Sequence, residues 1–143
     1  MFRASSFGLL LIAFLPGCRL TERDGANPLP EDAPPLAYAE MVHRARGQAT
    51  AALDAYYIDA WLDLEQSAQR LEQTARLLPK TTHIPGAFKT KVEPESEQLR
   101  QDAVKLLEAA RAKNAMQVNE ALQRINQRIR QMRPMDKLDA EKK

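Results

Sequence analysis

The residues able to do chemistry are few and scattered. Cys18, in the stretch FLPGCRL (14–20), is the only cysteine among 143 residues. A lone thiol cannot close an internal disulfide, and one sulfur is too few for a zinc or iron–sulfur site. The two histidines, His43 and His83, share no ligand spacing with the cysteine. They are expected at the surface, and no metal site is expected. Asp54, Asp59, Asp63 and Glu65 make one stretch mildly acidic. A paired-carboxylate mechanism needs a cleft that raises the pKa of one member, and nothing in this stretch points to a cleft. Glu-x-x-His, the di-iron pattern of ferritin-like bundles, occurs once, at Glu40–His43, where such bundles need it twice. A glycine-rich phosphate loop, a nucleophile elbow and a Ser/His/Asp arrangement do not occur. No enzymatic activity is expected.

Positive charge is the other resource. From residue 111 to residue 133 the chain carries Arg111, Lys113, Arg124, Arg128, Arg130 and Arg133 against Glu120 alone. Two readings stay open. This is a solvated basic face balanced by the acidic stretch, or Arg124, Arg128, Arg130 and Arg133 form a partner face. The partner would be anionic: lipid headgroups, lipopolysaccharide or an acidic protein surface. Formal net charge is only +2, so no overall field points to nucleic acid.

The first seventeen residues explain the lone thiol. Arg3 supplies a short positive region, and Phe7–Leu15 (FGLLLIAFL) is an apolar run of nine. A membrane span needs about 20 residues, so this run fits a cleaved secretory signal peptide instead. The junction Leu15-Pro16-Gly17-Cys18 resembles the lipobox of bacterial lipoproteins, with Pro16 as a departure from the commoner Ala or Ser. The resemblance implies cleavage before Cys18 and fatty acylation, palmitate among the chains, of the thiol and of the new amine. Chemically this is coherent, because two acyl chains hold a protein stably where one is marginal. The implied location is a bacterial cell envelope, facing the periplasm. Arg19, where Asp marks inner-membrane retention in the best-known systems, leans the expectation toward the outer membrane.

Residues 18–35 then read as an acylated cysteine and a tether. The segment RLTERDGANPLPEDAPP (19–35) holds four prolines, one glycine and six charges, too polar to build a core. Helix formers dominate the rest. Tyr38, Val42, Ala45, Ala49, Ala52 and Tyr56 form one apolar stripe; Trp61, Leu64, Ala68, Leu71, Ala75 and Leu78 form a second. The step of five from 56 to 61 predicts a tight turn with Asp59 as N-cap. A single long helix over 36–78 is the alternative, since no glycine or proline marks the slip. Leu99, Ala103, Leu106 and Ala110 form a third stripe, and Val118, Leu122, Ile125, Ile129 and Met132 a fourth. Asn114 with Gln117 resembles a capping box between them. The expectation is an all-α fold: an antiparallel up-down-up-down four-helix bundle over 36–133, with helices at about 36–55, 59–78, 94–112 and 115–133. Its interior would be Leu- and Ala-rich, with Trp61 and Tyr56 or Tyr57 filling larger gaps. Residues 134–143 read as a frayed charged tail.

Three stretches, LDAYYIDAWLDLEQSAQRL (53–71), LLEAARAKN (106–114) and LQRINQRIRQMR (122–133), resemble the cytochrome c-prime and related b-type cytochrome bundles. The resemblance spans most of 36–133 and rests on helix spacing. In that family the last helix carries Cys-x-x-Cys-His, followed a turn later by an aromatic residue and often by an arginine. Laid on that pattern, Ile125 and Arg128 stand at the cysteines and Ile129 at the histidine; only Arg133 matches. Covalent haem attachment is therefore excluded by composition. The b-type relatives hold haem through a methionine early in the first helix and a histidine late in the last. Met41 fits the first place; in the fourth helix Met132 is the only soft ligand. Two readings follow. Met41 and Met132 are packing residues, methionine being an adaptable core filler, and no cofactor is bound; or they ligate haem b. Bundles of this type often pair, so a homodimer is also implied, with Tyr56 and Tyr57 available for it. The reading preferred here is a membrane-anchored, non-enzymatic binding or structural module with a closed haem pocket.

Overall fold

The computed structural model describes residues 27–30 and 32–134. Cys18, the signal-peptide stretch, most of the tether and residues 135–143 lie outside the described residues. The fold is all-α. Four helices, α1 (Tyr38–Tyr57), α2 (Trp61–Leu77), α3 (Val92–Arg111) and α4 (Ala115–Met132), are joined by short links and two 3-10 turns, Leu78–Lys80 and Gly86–Phe88. Among the described residues there is no strand, only an isolated bridge between Ala37 and Thr82. Helices α1 and α2 pack together, as do α2 and α3, α3 and α4, and α1 and α4, which closes a ring.

The stripes meet inside that ring. Leu64, Leu71, Leu99, Leu106 and Ile125 are fully buried, with alanines such as Ala52, Ala68, Ala75 and Ala103 between them. Alanine at facing positions lets backbones approach, and leucine fills the space left over. The large interior aromatic is Tyr38, fully buried, and not the residues expected for that role. Tyr57 is 74% exposed, while Tyr56 and Trp61 are half-buried against each other at the α1–α2 turn, their rings 6.3 Å apart. The reason is position. Tyr57 and Trp61 end and begin helices at the turn and face the end of the core; Tyr38 also begins a helix, but a stacking partner, Phe88, at 5.5 Å and a hydrogen bond hold it inside.

Residues 36–78 form two helices, and the turn between them differs from expectation. Asp59 does not cap α2; the residue preceding Trp61 is Ala60, and no side chain caps that end. Asp59 instead closes α1. It adopts a left-handed φ of 55°, its N–H donates to Tyr56 O, and Ala60 N–H donates to Ala55 O. The α3–α4 turn repeats this with Lys113 at φ 50°, Lys113 N–H on Ala110 O and Asn114 N–H on Ala109 O. Both are Schellman endings built without glycine. Asn114 Oδ1 then accepts from Gln117 N–H and starts α4. Pro94 lies in the first turn of α3, where a missing N–H costs nothing.

The chain enters along the surface of this ring. Leu29 and Leu36 pack on the core. Leu29 N–H donates to Gln73 Oε1 at 3.2 Å, and Gln73 Nε2 donates back to Leu29 O at 2.9 Å. Tyr38 N–H donates to Thr82 O at 2.8 Å and Thr82 N–H to Leu36 O at 2.9 Å, tying the start of α1 to the α2–α3 connection.

Candidate functional site

The arginines of α4 divide into two groups. Arg124 and Arg128 are four apart, so they stand on one side of the helix. Both reach Asp102 of α3, which is only 4% exposed. Arg124 Nε donates to Asp102 Oδ1 at 3.1 Å, and Arg128 Nε to Oδ2 at 3.2 Å. Arg128 Nη1 also donates to Glu95 Oε2 at 3.0 Å. Glu95 and Asp102 are seven apart on α3, two turns, so the carboxylates line up along the facing arginines. Each oxygen of the buried carboxylate thus has a charged donor, which is what makes its burial tolerable. Asp102 was not singled out from the sequence. Its sign was there, an acid three residues after Leu99 and four before Leu106 on the apolar side of an amphipathic helix.

Arg130 and Arg133 stand apart from this clamp. Both are exposed, and neither has an ion-pair partner among the described residues. Arg133 meets His43 and Arg46 of α1 around a cavity of about 340 Å³. His43 is exposed there, as is His83 in the α2–α3 connection. Arg44, on the same turn of α1, is partly buried and donates to Asn27 O. Burial lowers its pKa, with nearby Glu40 opposing the shift.

Met41 and Met132 are both 2% exposed. They line different cavities. Met41 faces one of about 130 Å³ closed by Leu29, Pro30 and Leu36. Met132 borders one of about 230 Å³ with Tyr38, Phe88 and Glu95. Tyr38, three residues before Met41, donates its hydroxyl to Met132 O at 2.8 Å. Burial pushes the Tyr38 phenol up to about 12, and the Glu95 carboxylate adds to the shift. Ile125 and Ile129, 0% and 3% exposed, occupy the α4 side of the core where the cytochrome pattern would place a cysteine and the histidine.

The acidic stretch does not converge. Asp54, Asp59 and Asp63 are exposed, and Glu65 pairs with Arg111 at 3.6 Å. No group of three or more His, Cys, Asp or Glu able to hold a metal occurs among the described residues. A cavity of about 750 Å³ is an open groove between α2 and α3. Within it Arg100 hydrogen-bonds Glu97 at 2.8 and 2.9 Å and approaches Glu72 at 4.0 Å, while Arg76 and Glu93 line it without an ion-pair partner among the described residues. Those bonds, with one from Gln101, hold the Glu97 carboxyl down at about 2. Among the described residues no helix is long and apolar enough to cross a membrane. Compared with protein-family models, curated proteins and solved structures, the chain finds no match in any of the three.

Proposed function

We propose that this protein is a lipoprotein of a bacterial cell envelope. It is anchored through acylated Cys18, and its antiparallel up-down-up-down bundle serves as a non-enzymatic binding or structural module. On this reading it is a haem-less relative of cytochrome c-prime. Three-residue links between α1 and α2 and between α3 and α4 favour the up-down course, because so short a link makes neighbours run in opposite directions. The sequence Leu15-Pro16-Gly17-Cys18 supports the anchor.

The observation that carries the module reading is the packing of Ile125 and Ile129. Two branched side chains fill the volume where a haem edge would lie. A second reading, non-covalent haem b on Met41 and Met132, draws on the burial of both methionines. Their cavities argue against it: each is smaller than the roughly 300 Å³ at which ligand pockets begin. Titrating the chain with haemin and recording its absorption separates the two. The module reading expects a flat titration. A saturable Soret shift at one haem per chain, abolished by Met41→Ala, would replace it with the cytochrome reading.

A further inference from the structure

Six cations on four separate elements surround the start of α1. Arg46 lies on α1, Lys80 in the 3-10 turn after α2, Lys89 and Lys91 just before α3, and Arg130 and Arg133 at the end of α4. Tyr38 is the hub that places them at one end of the molecule. Its backbone joins Thr82, its ring stacks on Phe88, and its hydroxyl reaches Met132. All six are exposed, and none has an ion-pair partner among the described residues. The arginines that do form ion pairs, Arg100, Arg111, Arg124 and Arg128, reach carboxylates on their own or facing helices. The acids on the segments around the hub are Glu31, Asp32, Glu40, Glu93 and Glu95, and Glu95 is already taken by Arg128. An excess of unmatched positive charge remains.

Upstream of this end the described chain runs along the bundle, Leu36 beside Thr82, Leu29 beside Gln73 and Asn27 beside Arg44, and eight residues lie between Cys18 and Asn27. Even fully extended, the nine steps from Cys18 to Asn27 reach only about 30 Å, so the bundle stays close to the membrane. We infer that the basic end of the bundle rests on the membrane and binds the phosphates of anionic phospholipid headgroups. This rests on the anchored reading above and adds an orientation and a ligand class to it. The distribution of the cations favours a surface over a single soluble anion. Arg46 and Arg133 line one cavity, Lys91 a second and Lys80 a third, so no one pocket gathers them. A sheet of phosphates can meet all three places at once.

The test uses the full chain with vesicles of phosphatidylcholine alone, and of phosphatidylcholine mixed with phosphatidylglycerol. Surface amines are acetylated and each lysine is read by mass spectrometry. At low salt, labelling of Lys80, Lys89 and Lys91 should fall roughly threefold or more on the anionic vesicles and recover as salt screens the contact. Lys105 and Lys113, elsewhere on the bundle, should not change. A triple variant, Arg46→Gln, Arg130→Gln and Arg133→Gln, alters only exposed side chains and should lose most of the protection. Equal labelling of all lysines on both vesicles, with the chain attached to both, overturns the docking and leaves the anchor standing. Protection on anionic vesicles with no attachment to neutral ones supports the docking and counts against the anchor. Protection by inorganic phosphate without vesicles overturns the lipid surface in favour of a soluble anion.

Discussion

Tyr38 shows how one residue can organise an end of the fold. Its ring is fully buried, and its hydroxyl satisfies the Met132 carbonyl near the C-terminus of α4. That carbonyl has no partner within the helix, as is general for a last turn. The same burial makes the phenol hard to ionise, which has a consequence for alkaline stability. In the unfolded chain Tyr38 loses its proton near 10.0; in the fold it holds it to about 12. The folded state therefore binds more protons than the unfolded state across that window. Stability is fully present below about pH 10 and falls as pH rises toward 12. The loss across the window should be about 2 kcal/mol. Tyr38→Phe removes the hydroxyl, so it should lower stability at neutral pH by about 1 kcal/mol. Its urea midpoint should then decline less between pH 10 and 12 than that of the parent. Parallel declines in the two proteins would mean that Tyr38 is not the group responsible.

The pairing of α3 with α4 is fixed by more than apolar contact, since Asp102 sets the register in which Arg124 and Arg128 both reach it. Asp102→Asn keeps the shape and removes the charge, leaving two guanidinium groups without their carboxylate. The expected cost is about 3 kcal/mol, at the low end for a broken buried pair because both arginines retain some contact with water. Arg128→Gln should cost more than Arg124→Gln, since Arg128 is the less exposed, 20% against 43%. Urea unfolding of the three variants checks the order. The helices themselves were legible as stripes of period 3.6, and Leu64, Leu71, Leu99 and Leu106 lie where that period puts them. The turns were harder to read. Asp59 and Lys113 do work usually given to glycine, so the two left-handed helix endings carry no residue that announces them. The clamp was missed for a related reason. A search for apolar periodicity passes over an acid on the apolar face, although an acid there needs a partner. With Asp102 unnoticed, the three arginines of α4 and Arg133 after it looked equally free. Arg124 and Arg128 turn inward to a neighbour, whereas Arg130 and Arg133 stay exposed, Arg133 beside His43 and Arg46 of α1.

At the scale of the whole molecule the two ends differ in chemistry. One end gathers the start of α1, the close of α4 and unmatched lysines and arginines around Tyr38. The other, at the α1–α2 and α3–α4 turns, exposes Tyr57, Ile58, Leu62 and Met116. Tyr56 bridges those turns, its hydroxyl donating to Ala115 O at 3.3 Å. Between the ends lies a core of leucine, alanine and isoleucine. The proposed role as a membrane-held module depends first on the anchor. The measurement that bears on it most directly is the intact mass of the chain after expression in a bacterium with lipoprotein-processing enzymes. The account predicts a chain beginning at Cys18, heavier than its residues by acyl groups on the thiol and amine, and shifted to the unprocessed mass by Cys18→Ser. A chain of unmodified mass that retains residues 1–17, or one cut elsewhere with a free Cys18 thiol, would contradict it.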